Sequence, residues 1–404
     1  MKRRAFLKSA AAGLSAALLP IPGCAPNTLR AKRYLRTNWG QDPFALGSYS
    51  FVAKGANRQD HRTLGEAVGE TLFFTGEACH PNYEGTVHAA HESGLYAADA
   101  VLKTDKQSIA IIGAGMSGLT AAHTLAAAGR SVTVFEARDR IGGRIWTSDD
   151  LSNPVDLGAA WIHGTTDNPL TDLSNSLNLE RAIGDASHVV RGSDGHRIEA
   201  TPDWILELAT IEQEYGTELD AINLAAYDKI RHYDGHDVAF PQGYRQIFAA
   251  LAGNYDLRLN HIVSKITHSE TGSSVKVGNE TFAYDAVVTS LPLGILKQRK
   301  VEFDPPLPAP KRMSIDRLGY GLLYKLYLQF DQVFWDKEET WIGLVETGAP
   351  RGYFNIWLNV HKLTGAPILM ALNGGNVAKT LSELDDSALI ARAMSALSRA
   401  YPNA

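Results

Sequence analysis

The chain has 404 residues, of which 45% are hydrophobic and 21% are charged, and its formal net charge at pH 7 is -5. This length can form two domains with sizeable cores, and the composition is that of a soluble globular protein. The charge gives no electrostatic reason to expect nucleic acid as a partner. Two cysteines cannot supply a disulfide framework. The sequence also contains no CxxC motif or Cys/His cluster that would predict a metal site.

The first 26 residues, MKRRAFLKSAAAGLSAALLPIPGCAP, have a basic start, a short apolar stretch, and then small residues and prolines. This is the anatomy of an export signal, and no later apolar run is long enough to span a bilayer. Arg3 and Arg4 form a twin-arginine pair that resembles the signal of the bacterial Tat pathway, so we expect export to the periplasm or cell envelope. The alternative is a basic, apolar tail without function. A loose resemblance to a lipoprotein box leaves both lipidation of Cys24 and simple cleavage open.

A dinucleotide-binding pattern runs from Ser108 to Arg144. The strings SIAIIG and SVTVFE read as buried strands, and GAGMSGLTAAHTLAAAG turns tightly into an alanine-rich helix between them. Glycine permits the turn, the approach of a pyrophosphate and helix–strand packing, and the helix N-terminus stabilises the phosphate charge. Glu136 ends the second strand, where a carboxylate can accept hydrogen bonds from ribose hydroxyls. The alternative is a purely structural turn. The glycines of the turn are Gly113, Gly115 and Gly118.

The string EARDRIGGR follows directly, and its glycine pair and arginine offer backbone amides and a cation to the same pyrophosphate. GAGMSGL and FEARDRIGGR together closely resemble the FAD-binding opening of the flavin-containing amine oxidases. That family includes monoamine oxidases, polyamine oxidases and the lysine-specific histone demethylases. The resemblance implies that FAD is the cofactor and that Arg138, Gly143 and Arg144 help to bind it.

The parts of this family stand in an unusual order here. In relatives the FAD-binding opening begins the catalytic fold, whereas here it starts more than a hundred residues into the chain. Upstream, TNWGQDPFALGSYSFVAKG and LFFTGEACHPNYEGTVHAAHESGLYAADAVL resemble the last segment of the family. In relatives that segment follows a helix like the C-terminal ALIARAMSALSRAYPNA. We interpret the order as a circular permutation in which KTDKQ joins the moved segment to the first Rossmann strand. The alternative is a truncated tandem gene whose segments pair between molecules.

The resemblance also implies further contacts with the cofactor. In the family, a strand that ends in Gly-Glu reaches the ribityl and phosphate region, and the helix after GTVH covers the flavin ring. VDLGAAWIHG resembles the loop that passes the flavin, and HIVSKI resembles a strand that contacts adenine. The matching positions in this chain are Gly76, Glu77, Thr86, Val87, Gly158 and Val263.

Three side chains are catalytic candidates by the same resemblance. Lys325, a lone lysine in the strand-like GYGLLYKLYLQFDQVFW, aligns with the lysine that holds a water against flavin N5; the alternative is a solvent-facing strand residue. Tyr49 matches the aromatic wall beside the substrate nitrogen, and its alternative is a core tyrosine. His163 matches a substrate-facing histidine of polyamine oxidases, and its alternative is a histidine satisfied by neighbouring backbone.

One position departs from the GTVHGA string of polyamine oxidases, which reads GTVHAA here, and two depart from the monoamine oxidases. Ser48 stands where they carry the cysteine that binds flavin covalently, which predicts non-covalent FAD. Thr86 replaces their second aromatic wall, as in polyamine oxidases and histone demethylases. Ala89 replaces a glycine beside the ring, and we expect its methyl group to crowd the site.

The segment 166–238 resembles the family least. Its string DWILELATIEQEYGTELDAINLAAYDKI has apolar residues at helical spacing, and relatives place substrate selectivity in this part. Its acidic residues either attract a polyamine or form a solvated helix face, and the second interpretation is the simpler one. These residues are Glu207, Glu212, Glu214, Glu218 and Asp220.

The sequence therefore predicts an α/β flavoprotein with a Rossmann-type FAD-binding domain and a mixed-sheet and helical substrate domain. We assign residues 52–165 and 236–300 to the first domain, and 34–51, 166–235 and 301–404 to the second. The implied reaction is oxidation of the C–N bond of a polyamine or monoamine by hydride transfer to flavin N5, with O2 reduced to H2O2. The alternatives are an L-amino acid oxidase and a flavin-binding protein without turnover.

Overall fold

The computed structural model describes residues 29–227, 230–346 and 350–404, so the export signal predicted at 1–26 lies outside the described residues. A five-stranded sheet with only parallel pairs contains both strands of the dinucleotide pattern. Its strands, in spatial order, are Asp256–Arg258, Ser131–Phe135, Ser108–Ile112, Ala286–Thr289 and Leu72–Phe74. Their β-branched and aromatic runs are those of a parallel sheet that is covered on both faces.

The two faces of this sheet pack into different hydrophobic clusters. Ile109 and Ile111 point into a cluster with the helices Val87–Leu102 and Met116–Ala127, whereas Ala110 and Ile112 point into a cluster on the opposite face. This alternation follows from the two-residue period of a strand. The first Rossmann strand is therefore fixed between two cores, and its carboxyl end is held at one edge of the sheet.

A second sheet has six strands and mixed pairing. Its strands, in spatial order, are Arg33–Arg36, Leu323–Gln329, Ile368–Gly374, Ile356–Asn359, Trp341–Val345 and His188–Gly192. All neighbours are antiparallel except the last pair, which is parallel. The predicted combination of a Rossmann-type sheet with a mixed sheet is confirmed.

Smaller sheets and the helices complete the described parts of the chain. A four-stranded sheet contains Glu280–Tyr284, Ser273–Val277, Val263–His268 and Glu302–Asp304, and a three-stranded sheet contains Trp161–Ile162, Val238–Ala239 and Ala182–Ile183. Two strand pairs join Gly319–Gly321 to Tyr49–Phe51 and Thr147–Ser148 to Val155–Asp156. Other α-helices are Arg58–Gly65, Pro169–Ser176, Asp203–Glu207, Gln213–Tyr215, Leu224–Tyr227, Leu293–Lys297, Ala309–Arg317, Val360–Thr364, Gly375–Ser382 and Asp386–Ala400. Across the ranges that the structure describes, no helix combines the length and apolarity needed to cross a membrane.

The segment upstream of the dinucleotide pattern contributes to both large sheets. Arg33–Arg36 pairs with Leu323–Gln329, and Leu72–Phe74 pairs with Ala286–Thr289. The short link 103–107 then leads directly into the first Rossmann strand. Asp285 secures this junction, because its Oδ2 accepts hydrogen bonds from the backbone amides of Gln107 and Ser108, each at 2.9 Å.

Two sequence expectations differ from the structure in detail. The segment expected to be helical forms Asp203–Glu207, a π-helical turn at Leu208–Glu212 and Gln213–Tyr215, and then breaks at Gly216, whose φ of 61° is left-handed. The single long strand expected around Lys325 is divided at Leu322 into two strands that belong to different sheets.

Candidate active site

A cavity of about 2190 Å³ lies against the carboxyl end of the parallel sheet. It reaches Ile112 and Phe135 of that sheet, Lys325 and Leu372 of the six-stranded sheet, and the helical segment 203–215. Single small-ligand pockets measure roughly 300 to 1,000 Å³. The volume thus accommodates a dinucleotide and a substrate together.

The glycine turn at the edge of the sheet has the form that a pyrophosphate requires. Gly113 has a φ of 98°, and a Cβ atom there would lie 2.5 Å from Ser290 Oγ. A Cβ on Gly118 would lie 2.0 Å from the Gly113 carbonyl oxygen, so this glycine permits helix–strand packing. Gly115 precedes the helix Met116–Ala127 and lines the cavity, where a Cβ would be 4.0 Å from the nearest carbonyl oxygen. The helix N-terminus thus faces open space that an anion can occupy.

Glu136 is buried at the end of the second Rossmann strand and lines the cavity. Its Oε2 accepts a hydrogen bond from the Ala114 amide at 2.7 Å, and its Oε1 accepts one from the Arg138 amide at 2.9 Å. Backbone amides thus fix the carboxylate beside the glycine turn. Each oxygen keeps a second lone pair that can accept a ribose hydroxyl.

Both predicted arginines line the cavity, but each is paired with a carboxylate from the upstream segment. Arg138 makes a bidentate ion pair with Asp42, with N–O distances of 2.6 and 3.0 Å. Arg144 Nη1 lies 2.7 Å from Glu77 Oε1 and also donates to the Ser48 carbonyl oxygen at 2.9 Å. Arg144 therefore lines the cavity as one member of an ion pair, and Glu77 partly balances its charge.

Glu77 is buried and accepts hydrogen bonds from three upstream groups besides Arg144. Its Oε2 accepts from the Ser50 hydroxyl at 2.5 Å, from the Ser50 amide at 3.3 Å and from the Gly85 amide at 3.0 Å. Burial by itself raises the pKa of this carboxyl, but the Arg144 charge and the hydrogen bonds from Ser50 and Arg144 outweigh it and lower the pKa. Glu77 is therefore a carboxylate that holds the surrounding loops together.

Of the remaining predicted cofactor residues, five line the cavity and one does not. Thr86, Val87, Gly143, Gly158 and Val263 line the cavity. A Cβ on Gly158 would lie 1.7 Å from the Arg144 carbonyl oxygen, which explains the glycine there. Gly76 does not line the cavity, although it directly precedes Glu77, which does.

Lys325 lines the cavity and is buried, so the alternative of a solvent-facing residue is wrong. Its Nζ donates hydrogen bonds to the carbonyl oxygens of Asp156 at 2.9 Å and Gly158 at 2.6 Å. Burial lowers the pKa of this ammonium to about 8, and the nearby Asp156 opposes the change. Burial likewise raises the pKa of the Asp156 carboxyl to about 6, although Thr147 and the Tyr244 amide donate hydrogen bonds to it.

The other two catalytic candidates also line the cavity. The Tyr49 hydroxyl donates to the carbonyl oxygen of Gln213, and burial raises its pKa, so the phenol stays protonated. His163 is more than half exposed, and its Nδ1 lies 3.1 Å from an oxygen of Asp237. Its partner is thus a carboxylate, and not only neighbouring backbone as the alternative held.

Several cavity residues were not predicted as site residues. Tyr83, His88 and Tyr233 form an aromatic cluster on the wall, and Asp42, which does not itself line the cavity, pairs with Arg138, which does. Their signal in the sequence was weak because the pairing partners are distant along the chain. Ala89, by contrast, is fully buried and does not line the cavity, so the expectation that its methyl group crowds the site is wrong.

Glu136 and the buried lysine lie within a match over residues 11–102, 116–203 and 214–404 to the family described as flavin containing amine oxidoreductase. The chain belongs to this family. Polyamine oxidase 2 and probable polyamine oxidase 4 of Arabidopsis thaliana are each 31% identical to it. These alignments cover 77% and 74% of this chain and 76% and 72% of the relatives.

A solved structure of putrescine oxidase bound to putrescine has the same fold. It matches with a TM-score of 0.54 and 20% sequence identity, over 73% of this chain and 81% of that chain. FAD is the cofactor of this amine oxidase, and its activity is the FAD-dependent oxidation of an amine. The open glycine turn and the size of the cavity fit that cofactor.

Substitution of Gly115 by alanine should weaken FAD binding about tenfold and leave the apoprotein stable, because the φ of -81° suits alanine and the methyl group points into the cofactor space. Fluorescence titration of the apoprotein with FAD measures the affinity. The matched control is Gly118→Ala, which should lower the unfolding temperature of the apoprotein because no space exists for its methyl group. Unchanged FAD affinity in Gly115→Ala would contradict the assignment of the turn.

Proposed function

We propose that this amine oxidase oxidises a polyamine, and that the carboxylates of the cavity wall recognise the cationic chain of the substrate. Within the described residues of 203–237, five acidic side chains and one arginine line the cavity. The acidic residues are Asp203, Glu207, Glu214, Asp234 and Asp237. Two of the acids that the sequence analysis interpreted as a solvated helix face thus lie on the cavity wall instead.

The negative potential of this wall is visible in the state of Glu212. Burial, and to a smaller extent the charges of Glu218 and Glu207, raise the pKa of its carboxyl to about 7. A protonated carboxylic acid near neutral pH indicates that nearby carboxylates lack enough positive charge to balance them. A substrate with several ammonium groups supplies that charge, whereas a monoamine supplies only one.

Three side chains serve the reaction in this proposal. Tyr49 forms an aromatic wall for the reacting amine, and His163 contacts the substrate from the exposed side. Lys325 donates two hydrogen bonds to backbone carbonyl groups, and an ammonium has a third donor that can hold a water beside the flavin. When bound, FAD would supply the acceptor for the hydride from the carbon next to the neutral amine, and O2 would be the final electron acceptor, reduced to H2O2.

An L-amino acid oxidase needs a cation for the substrate carboxylate. Arg138 and Arg144 are already engaged by Asp42 and Glu77, which makes them unsuitable for this role, and Arg231 shares its wall with five acidic side chains. The acidic wall next to them would also repel the carboxylate of such a substrate. We therefore favour a polycationic substrate over an amino acid.

Anaerobic addition of spermidine to the FAD-loaded protein should bleach the flavin absorbance, and admission of air should restore it with release of H2O2. Butylamine and an L-amino acid should bleach it at least roughly tenfold more slowly, because neither engages several carboxylates. Stopped-flow absorbance measures the three rates. Faster bleaching by the monoamine or by the amino acid would reject the polyamine assignment and name the substrate class, and bound flavin that no amine reduces would support a protein without turnover.

Replacement of Lys325 by methionine should slow the reoxidation of the reduced enzyme by oxygen about 100-fold, because it removes a preorganised charge. The wild-type rate should fall as the pH rises through about 8, where the lowered pKa of Lys325 causes the ammonium to lose its proton. The variant should lose this pH dependence. Stopped-flow measurements from pH 6 to pH 10 test both, with the exposed Lys276→Met as control. An unchanged profile in Lys325→Met would exclude the role.

The circular permutation is part of the proposal, and contacts between the two ends of the described chain support it. Tyr34 Oη donates a hydrogen bond to Asp386 Oδ2 at 2.7 Å, and Leu29 packs against the cluster that includes Leu397 and Tyr401. The C-terminal helix of a relative could therefore continue into the strand Arg33–Arg36 across a short distance.

Activity per mole of enzyme should stay constant over a roughly hundredfold dilution, because the permuted segments pair within one molecule. Segments that pair between molecules would dissociate on dilution by mass action, and the specific activity would fall. The measurement is peroxide release at saturating amine and FAD.

We also propose that the protein is exported by the Tat pathway, with either cleavage of the signal or lipidation of Cys24. The twin arginines support this assignment, and folding before export suits a protein that must acquire FAD in the cytoplasm. Replacement of Arg3 and Arg4 by lysines should keep the protein in the cytoplasm, as measured by cell fractionation. Unchanged export would reject the Tat assignment.

A further inference from the structure

An aromatic cluster lines the cavity near the start of the helix Val87–Leu102. The Tyr83 and Tyr233 rings are stacked, with centroids 4.9 Å apart and planes at 10°. The His88 ring stands nearly perpendicular to both, at 5.0 Å from Tyr83 and 5.1 Å from Tyr233. Burial lowers the pKa of His88 to about 3, so this ring is neutral and adds no positive charge to the wall. The cluster therefore offers electron-rich rings to the cavity.

The Tyr233 hydroxyl is fixed by a carboxylate outside the cavity lining. It donates a hydrogen bond to Glu92 Oε1, and the other oxygen of Glu92 lies 2.9 Å from His80 Nε2. His80 Nδ1 accepts hydrogen bonds from the amides of Asn82 and Tyr83, at 3.2 and 3.3 Å. Because Nδ1 accepts these bonds, Nε2 is the ring nitrogen that carries a hydrogen toward Glu92.

Glu92 keeps its charge in this position. Burial raises the pKa of the carboxyl, but the hydrogen bonds from His80 and Tyr233 outweigh it and lower the pKa. A charged acceptor strengthens the bond to the Tyr233 hydroxyl relative to a neutral one. Glu92 thus holds Tyr233 at its polar end, while Tyr83 holds it through the ring.

Tyr233 lies in the stretch 230–237, which forms no helix or long strand. Its position therefore depends on such contacts. The stretch is tied by hydrogen bonds from the Arg231 amide to the Asn82 carbonyl at 3.2 Å, and from the Thr166 amide to the Asp234 carbonyl at 2.8 Å. Asp234 and Asp237 of the same stretch also line the cavity. A ring and two carboxylates are therefore presented together on one wall.

We propose that Tyr233 is a specificity-determining residue that receives a distal ammonium group of the substrate, and that Glu92 is its positioning residue. The inference rests on the proposed function and deepens it by naming where the second charge of a polyamine binds. Aromatic faces attract ammonium groups, and the carboxylates of the same wall add Coulomb attraction. A monoamine has no second ammonium group and does not use this wall.

The test is anaerobic calorimetric titration, with spermidine and with butylamine, of the FAD-loaded protein whose flavin has first been reduced with dithionite, so that no amine is oxidised during the titration. Tyr233→Ala should weaken spermidine binding about tenfold, and Tyr233→Phe, which keeps the ring, should weaken it only about threefold. In both variants, the affinity for butylamine and the kcat with spermidine should stay within about twofold of the wild-type values, while the KM for spermidine rises. A loss that is equal for both amines, or an unchanged spermidine affinity in Tyr233→Ala, overturns the proposal.

Glu92→Gln tests the positioning role separately. Glu92→Gln and Tyr233→Phe affect the same hydrogen bond, the one between Tyr233 and Glu92. The double variant should therefore bind spermidine no more weakly than the weaker of the two single variants. Additive losses would overturn the positioning role. FAD content and the flavin spectrum report whether each variant folds, and the phenylalanine and glutamine variants carry the test if the alanine variant does not.

The binding data distinguish this inference from the proposed function. A wild-type protein that binds spermidine more tightly than butylamine but does not oxidise it refutes the function and retains the binding site. A wild-type protein that binds both amines equally overturns the inference, whichever amine it oxidises.

Discussion

Glu77, which is buried, and Arg144, which is partly buried, form an ion pair where three segments of the chain meet, namely residues 48–50, residues 77–85 and the loop of Arg144. Glu77 accepts hydrogen bonds from the Ser50 and Gly85 amides, and Arg144 donates to the Ser48 carbonyl. Breaking a buried pair by removing one partner costs about 3 to 5 kcal/mol, because the remaining charge stays without compensation. The pair thus fixes the upstream segment against the dinucleotide loop, and every wall of the cavity near the flavin site depends on this attachment.

A second charged group at the cavity, Lys325, is also held in place by hydrogen bonds. Lys325 lies in a strand of the six-stranded sheet, and its ammonium is held by the carbonyl groups of Asp156 and Gly158 on a loop next to the dinucleotide site. A buried lysine is costly, and its lowered pKa reflects that cost. The hydrogen bonds join the six-stranded sheet to residues 156–158 and keep an ionisable group at the cavity.

The charges along the described residues of 203–237 are arranged differently from those around the glycine turn. Around the glycine turn the charges are paired, whereas the segment from 203 to 237 presents more carboxylates than cations to the cavity. Paired charges hold a cofactor of fixed geometry. An excess of negative charge instead attracts a flexible cation and is balanced only when the cation binds.

The sequence by itself determined the fold class, the cofactor and the chemistry, because these depend on local patterns. GAGMSGL needs only its own turn and helix, and Glu136 follows at a fixed distance along the chain. Lys325 was also recognisable, since a lysine is unusual in an apolar strand. The tertiary structure alone decided the partners of Arg138 and Arg144, the direction of Ala89 and the assembly of Tyr83, His88 and Tyr233. Ion pairs and ring contacts join residues that lie far apart in sequence, and which of them meet depends on how the sheets and helices pack.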